Sequence, residues 1–257
     1  MPQTKIVFFD IDGTLIDMQA KKITPKMLET LHRLQDRGIK ICIATGRSPM
    51  VLPKIDGVAF DAYLTFNGSL CYDRKGVIFS NPIPHKDVVR FIQNAAALGR
   101  PVCVSTRDRL AANGTDTDLT DYFFIANEPV PVADDFDAVC AEDIYQLMLG
   151  CRPKDFPALL DGAPGAKIAA WWDRALDIIP TAGGKGTGIA HVLAAYGIDK
   201  ADAMAFGDGN NDLEMFGAVG TCVAMANGSA DLKAAATHLC GSCAEDGIYH
   251  FCAENGL

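Results

Sequence analysis

The sequence predicts an α/β fold: a doubly wound, mostly parallel sheet interrupted by an inserted α+β segment. Three observations carry that expectation. Lys5–Asp10 (KIVFFD) and Ile39–Ala44 (IKICIA) are short apolar runs, too short and too β-rich for helices, with a helical pattern between them. The same strand–helix rhythm returns in the last third of the chain. Between these flanks, from about Pro82 to Pro180, the rhythm gives way to short strands with Pro- and Asp-rich joints.

Each element has its own local reason. After the first strand, Thr24 is a helix N-cap and Pro25 sits at the first helical position; Met27, Leu28, Leu31 and Leu34 share one face, and Gly38 ends the helix. Ile39–Ala44 stops at Thr45-Gly46-Arg47, which closes a βαβ unit with parallel strands and a right-handed crossover. Ala62–Phe66 reads as a third strand, and Asn67-Gly68 as a hairpin turn into Leu70–Tyr72. The middle holds a helix at Asp87–Leu98 and strands at Pro101–Ser105, Ile144–Leu149 and Ala166–Trp172. Gly186–Tyr196 is helical, Ala203–Gly207 a strand, Asp212–Ala218 a short helix, Thr221–Ala224 a strand and Ala230–Ala236 a helix. Two domains are expected: residues 1–81 and 182–257 form a discontinuous core, and residues 82–181 are inserted in it.

The 257 residues suffice for one large or two modest domains, and 49% hydrophobic with 21% charged residues is a globular composition. Lys plus Arg is 23 and Asp plus Glu is 32, a net charge of −9. That balance argues against nucleic acid or an anionic membrane as the main partner. It leaves room for a small anionic substrate, because a few local cations or a metal reverse the field. No stretch approaches the ~18 apolar residues of a membrane span, and the apolar run before Asp10 is too short for a secretory signal, so a cytoplasmic location is expected. The nine cysteines are odd in number and scattered, as reduced thiols are. Sequons at Asn67, Asn113 and Asn227 carry no weight without secretion.

Doubly wound sheets bind ligands outside the carboxyl ends of their strands. The first strand ends in Asp10-Ile-Asp12-Gly-Thr14, the second in Thr45-Gly46-Arg47-Ser48, and Ala203–Gly207 in Asp208-Gly-Asn-Asn211-Asp212. Four carboxylates, several hydroxyls and an arginine therefore meet at one edge. Mutually repelling carboxylates call for a hard cation with oxygen ligands, Mg²⁺ before others. The cation in turn favours an anionic substrate, phosphate above all. Lys185, in Gly183-Gly184-Lys185-Gly186 just before a helix, adds a charge for the same anion.

This constellation resembles the haloacid dehalogenase superfamily of phosphohydrolases along essentially the whole chain. The four motifs stand in order: DxDGT at Asp10–Thr14, the hydroxyl of Thr45, Lys185, and GDxxND at Gly207–Asp212. The insertion between the second and third motifs is similar to a type-IIB cap, which points to the Cof-type subfamily. The resemblance implies a Rossmann-like core with an inserted cap that selects the substrate. It implies Asp10 as the nucleophile that forms an aspartyl-phosphate. Asp12 is the implied general acid and base. Mg²⁺ would be held by Asp10, the Asp12 backbone carbonyl and Asp208, with Asp212 in support. Thr45, Lys185 and Asn211 would hold phosphoryl oxygens, and Gly46 and Arg47 match adjoining substrate-contact positions. Small phosphorylated metabolites follow as substrates, sugar phosphates first, with pyridoxal phosphate and flavin mononucleotide as rivals, in a monomer or weak homodimer. Ala182-Gly183-Gly184 departs from the Val-Ser that commonly precedes the lysine.

Other motifs find less support in the same residues. A P-loop fails because Gly186 stands where Ser or Thr is required, and an EF-hand fails at Leu213 and Val219. His238, Cys240, Cys243, His250 and Cys252 hold a Cys-x-x-Cys but no second pair, which is weak ground for zinc. A phosphotransferase or phosphomutase is the nearest rival. A signalling receiver module with a phosphorylated Asp is the rival from another class, set back by the Asp two residues on and by the insertion. Trp171 and Trp172 point to opposite faces of their strand, and Asn113, Tyr122, Trp172 and Arg174 are candidate cap contacts.

Overall fold

A computed structural model gives the structure of the protein and describes residues 3–124, 128–170 and 174–257. The chain opens with β1 (Ile6–Phe9), whose four side chains are all buried, as a strand covered on both faces requires. Helix α1 (Pro25–Asp36) follows. The Thr24 hydroxyl accepts a hydrogen bond from the Met27 N–H at 3.1 Å, a cap worth about 1 kcal/mol. Its Met27, Leu31 and Leu34 are buried, while Leu28 is only half-buried at the margin of that face. Then come β2 (Lys40–Ala44), β3 (Ala62–Thr65), β4 (Leu70–Asp73) and β5 (Gly76–Ser80). The β3–β4 hairpin turns through four residues rather than two, since Thr65 pairs with Leu70. Strand β5 lies beyond the strands expected from sequence; its apolar run Val77-Ile78-Phe79 is short, and the strand is exposed at Gly76, Val77 and Ser80.

The next stretch holds α2 (His85–Ala97), β6 (Cys103–Ser105), β7 (Leu110–Ala112), α3 (Thr117–Phe124), α4 (Phe136–Val139), β8 (Gln146–Gly150), α5 (Phe156–Leu160), β9 (Ala166–Ala170) and β10 (Ala175–Pro180). The chain then returns with α6 (Lys185–Tyr196), β11 (Ala203–Gly207), α7 (Leu213–Ala218), β12 (Thr221–Met225), α8 (Ala230–Ala235), β13 (His238–Cys240) and α9 (Gly247–Glu254).

Two compact units result. The first comprises the chain up to Arg47, Pro53–Ser80 and Gly184–Leu257; the second comprises Ser48–Leu52 and Asn81–Gly183. The first unit is a mixed sheet in the order β13-β12-β11-β1-β2-β3-β4-β5, parallel from β13 to β3 and antiparallel at β4 and β5. Alternation in the strands sends Ile6 and Phe8 to one face, where they meet Ile189 and Val192 of α6 and Met215 of α7. Phe9 and Phe206 stack at 5.4 Å on the other face, and Phe206 meets Phe251 of α9 edge-on at 5.6 Å. Helices on both faces make the sheet doubly wound.

The second unit is an antiparallel sheet in the order β7-β6-β8-β10-β9. Val104, Leu147, Leu149, Leu176 and Ile178 line one face against Val88 and Phe91 of α2. Cys103, Ala112 and Met148 line the opposite face against Leu119 and Phe123 of α3. No helix among the described residues is long and apolar enough to cross a membrane.

Candidate active site

Strand β1 pairs with β2 on one side and β11 on the other, so the strand order reverses between β1 and β11. Sheets of this kind open a crevice at that point. Asp10 leaves the end of β1, Thr45 the end of β2 and Asp208 the end of β11.

Lys185, the first residue of α6, is fully buried and lies between two carboxylates. Its Nζ donates to Asp10 Oδ1 and to Asp212 Oδ1, each at 2.6 Å. Asp212 spends its other oxygen on the backbone N–H groups of Asp208 and Gly209, at 2.9 and 3.0 Å. It thereby shapes the turn that presents Asp208. Thr14 Oγ1 donates to Asp208 Oδ1 at 2.9 Å and fixes that carboxylate from the β1 side. One oxygen from each of Asp10, Asp208 and Asp212 lies within 4.8 Å of the others.

The electrostatics follow from that crowding. Burial pushes the Asp10 carboxyl up to about 8; Lys185 opposes the rise, while Asp212 and Asp208 add to it. Burial also lifts Asp208 to about 6 against the Thr14 hydrogen bond, with Asp212 adding to the rise. Burial alone would discharge Lys185, but Asp10 and Asp212 outweigh it and hold the ammonium charged. Three carboxyl groups crowd round one ammonium, an environment that a divalent cation relieves by displacing protons. The loop is shaped for it. Gly13 has φ 85°, and a Cβ there would overlap the Asp208 carboxylate. These residues fit a divalent metal.

A second network adjoins. Arg47 grips both oxygens of Asp12, Nε to Oδ2 at 2.8 Å and Nη2 to Oδ1 at 2.6 Å. Thr45 is buried, and its hydroxyl oxygen accepts from the Arg47 N–H at 3.1 Å. Asn211 Nδ2 donates to Asn67 Oδ1 at 3.3 Å. A Cβ on Gly46 would come within 3.2 Å of the Asn67 amide. All nine residues singled out from sequence, namely Asp10, Asp12, Thr45, Gly46, Arg47, Lys185, Asp208, Asn211 and Asp212, thus belong to these two networks.

Three further residues take part that sequence reasoning did not assign. Thr14 was only the end of a motif, and Asn67 was only a turn residue. Asn227 was only a sequon, yet its Nδ2 donates to the Gly13 carbonyl at 2.8 Å and its Oδ1 accepts from the Cys243 N–H at 2.9 Å. An Asn-Gly pair two residues past the end of a core strand was the available signal for Asn67; nothing local marks Asn227. The departure before Lys185 has a reason as well: Gly184 has φ 153°, and a Cβ there would overlap the Glu214 carboxylate.

Elsewhere, Cys240, Cys243 and Cys252 are pushed by burial up to about 12 and stay neutral thiols near pH 7. Among the described residues, the group with metal-holding geometry is the aspartate cluster. In the second unit, Asn113 Oδ1 accepts from the Val102 N–H at 2.8 Å, Tyr122 donates to Asp177 at 2.7 Å, and Arg174 faces Asp121 at 3.6 Å. Trp171 and Trp172 lie outside the described residues.

Comparison with known proteins supports the same reading. The family model of the haloacid dehalogenase-like hydrolases matches residues 7–252. YkrA of Bacillus subtilis (strain 168), whose name calls it a candidate phosphatase, is 32% identical over 99% of this chain and 98% of its own. Among solved structures, the phosphatase BT1666 from Bacteroides thetaiotaomicron superposes with a TM-score of 0.91 at 27% identity, over 99% of this chain and 96% of that one. The HAD subclass IIB sugar phosphatase BT4131 gives 0.87 at 27% identity, over 98% and 99%. Members of the superfamily generally use a divalent metal, which the buried aspartate cluster suits. The chain belongs to the haloacid dehalogenase-like hydrolases and is a phosphatase of their Cof type.

Proposed function

We propose that the protein is a Mg²⁺-dependent phosphatase of small phosphorylated metabolites, sugar phosphates foremost, working through an aspartyl-phosphate on Asp10. The observation that carries the reading is the Asp10 carboxylate, held at 2.6 Å by a fully buried lysine at the switch point of the sheet. The Asp10 and Asp208 carboxylates and the Asp12 backbone carbonyl would hold Mg²⁺, with Asp212 behind them. The ion supplies the positive charge that lets a carboxylate approach a phosphate.

Asp10 attacks phosphorus in line; the bond to the ester oxygen breaks, and Asp12 delivers a proton to the departing alkoxide. Water then attacks the aspartyl-phosphate, Asp12 takes its proton, and Asp10 is released. Lys185 keeps the nucleophile oriented and neutralises part of the incoming charge. The Thr45 hydroxyl, Gly46, Lys185 and Asn211 hold phosphoryl oxygens, and Arg47 keeps Asp12 in place. Residues 82–181 act as the type-IIB cap that selects the leaving group. The sugar phosphatase named among the structural neighbours supports sugar phosphates as the first class to test.

Phosphate release from sugar phosphates, pyridoxal phosphate, flavin mononucleotide and p-nitrophenyl phosphate, with Mg²⁺ and with EDTA, tests the proposal. Metal-dependent release is expected, steepest for one compound. Release from none, with a stable acyl-phosphate on Asp10, would replace hydrolysis by transfer.

A further inference from the structure

The hairpin between β3 and β4 carries an unusual backbone. Phe66, Asn67 and Gly68 have φ of 50°, 53° and 82°, three successive residues in the left-handed region. Asparagine tolerates that region, but a phenylalanine there is strained, and Phe66 is fully buried. The strained turn is pinned to the loop after β2: the Phe66 N–H donates to the Arg47 carbonyl at 3.0 Å and the Asn67 N–H to the Thr45 carbonyl at 2.9 Å. A turn distorted in this way and tied at two points delivers one polar side chain to the crevice, that of Asn67.

Asn67 is 7% exposed. Its Oδ1 accepts from Asn211 Nδ2 at 3.3 Å, and its amide lies over Gly46, 3.2 Å from where a Cβ would stand. It therefore touches two positions to which the proposed function gives phosphoryl oxygens. With Oδ1 taken by Asn211, the Nδ2 donates to no group among the described residues, and neither does the Gly46 N–H beside it. Two uncommitted N–H donors, one on the amide that lies over Gly46 and one on Gly46 itself, the residue after buried Thr45, suit an oxyanion.

We infer that Asn67 is a further phosphate-binding residue: its Nδ2 donates to a phosphoryl oxygen of the substrate while its Oδ1 holds Asn211 in place. The inference rests on the phosphatase reading and deepens it. It gives the strained turn a purpose, because a turn of ordinary geometry would not place an amide above Gly46.

Two variants separate binding from architecture. Asn67→Asp keeps the left-handed tolerance and the acceptor for Asn211, but exchanges the donor for a negative charge. Asn67→Gly suits the backbone and removes the side chain. The whole protein with Mg²⁺ is compared with wild type for kcat and KM on p-nitrophenyl phosphate, for inhibition by inorganic phosphate, and for phosphate binding by calorimetry. Asn67→Asp is expected to raise KM and the phosphate dissociation constant roughly tenfold or more, with a lower melting temperature because its new charge is buried, and the uncharged Asn67→Gly to raise both several-fold. Wild-type KM and phosphate affinity in Asn67→Asp would overturn the inference and leave the phosphatase reading standing on the wild-type turnover. A wild type that neither binds nor releases phosphate would overturn both.

Discussion

Arg47 and Asp12, one at the end of each of two adjacent parallel strands, meet as a bidentate fork with N–O distances of 2.8 and 2.6 Å. The hydrogen bond to Asp12 is the main reason the guanidinium holds its proton more tightly than a free arginine. Each side chain is about a third exposed, so the pair contributes little to stability. What the fork fixes is the plane of the Asp12 carboxylate, which a single-point cation cannot do. Arg47→Lys should therefore lower kcat roughly tenfold while leaving the melting temperature within about 2 °C of wild type. Steady-state kinetics beside a thermal melt checks this. Undiminished turnover would mean that Asp12 needs no such orientation.

Gly13 is the second sensitive point. Its positive φ and the Asp208 carboxylate beside it leave no place for a methyl group. Gly13→Ala should displace Asp208, strain the loop and weaken Mg²⁺ binding at least about tenfold, with a stability loss of about 1–2 kcal/mol. A Mg²⁺ titration followed by calorimetry decides it; an unaltered affinity would take Asp208 out of the metal's surroundings.

Metal binding should also depend on pH in a defined window. The Asp208 carboxyl is raised by burial to about 6. In the metal-free fold its stabilising contribution is complete below the ordinary carboxylate range and fades as pH rises through about 6. A cation prefers the ionised form, so binding releases this proton below about 6 and none from Asp208 above it. Asp10, the other carboxylate ligand, is pushed up to about 8. Mg²⁺ affinity should accordingly climb most steeply below about 6, where both protons are displaced, more gently between 6 and 8, at most tenfold per pH unit, and level off above. The thermal stabilisation by Mg²⁺ should grow over the same range. Flat affinity between pH 5 and 7 would contradict the assignment.

Much of this was legible in the sequence, and the reasons are local. Ile6–Phe9 and Ala203–Gly207 read clearly because strands buried on both faces are continuous apolar runs. Pro25 and Thr24 marked the start of α1 because capping chemistry lies in adjacent residues. The candidate site at the strand ends was legible because those ends carry short motifs. By contrast, β5 is half-exposed and carries no periodic signal. The grip of Arg47 on Asp12 spans 35 positions, and that of Asn227 on Gly13 spans 214, so neither leaves a trace in spacing. Nor does the strain at Phe66, which arises from two backbone hydrogen bonds to the loop after β2.

Lys185 is where stability and chemistry are most tightly joined. It is fully buried, and its two short bonds are its answer to two buried carboxylates, Asp10 and Asp212. Lys185→Met would fill the same space and leave those carboxylates without a counter-charge. Removing one partner from a buried ionic group costs about 3–5 kcal/mol, far more than the intact group contributes over an apolar replacement. The loss should depend on pH, because burial already pushes the Asp10 carboxyl up to about 8 and without the ammonium it protonates more readily still. In urea unfolding the penalty should be large at pH 8 and shrink by more than half at pH 5, where the variant can neutralise the site with protons. Adding Asp212→Asn should recover part of the stability, since one buried charge is gone, yet restore no phosphatase activity. An equal penalty at both pH values would show that Lys185 stabilises the fold through packing alone. Recovered activity in the double variant would show that the reaction proceeds without the ammonium.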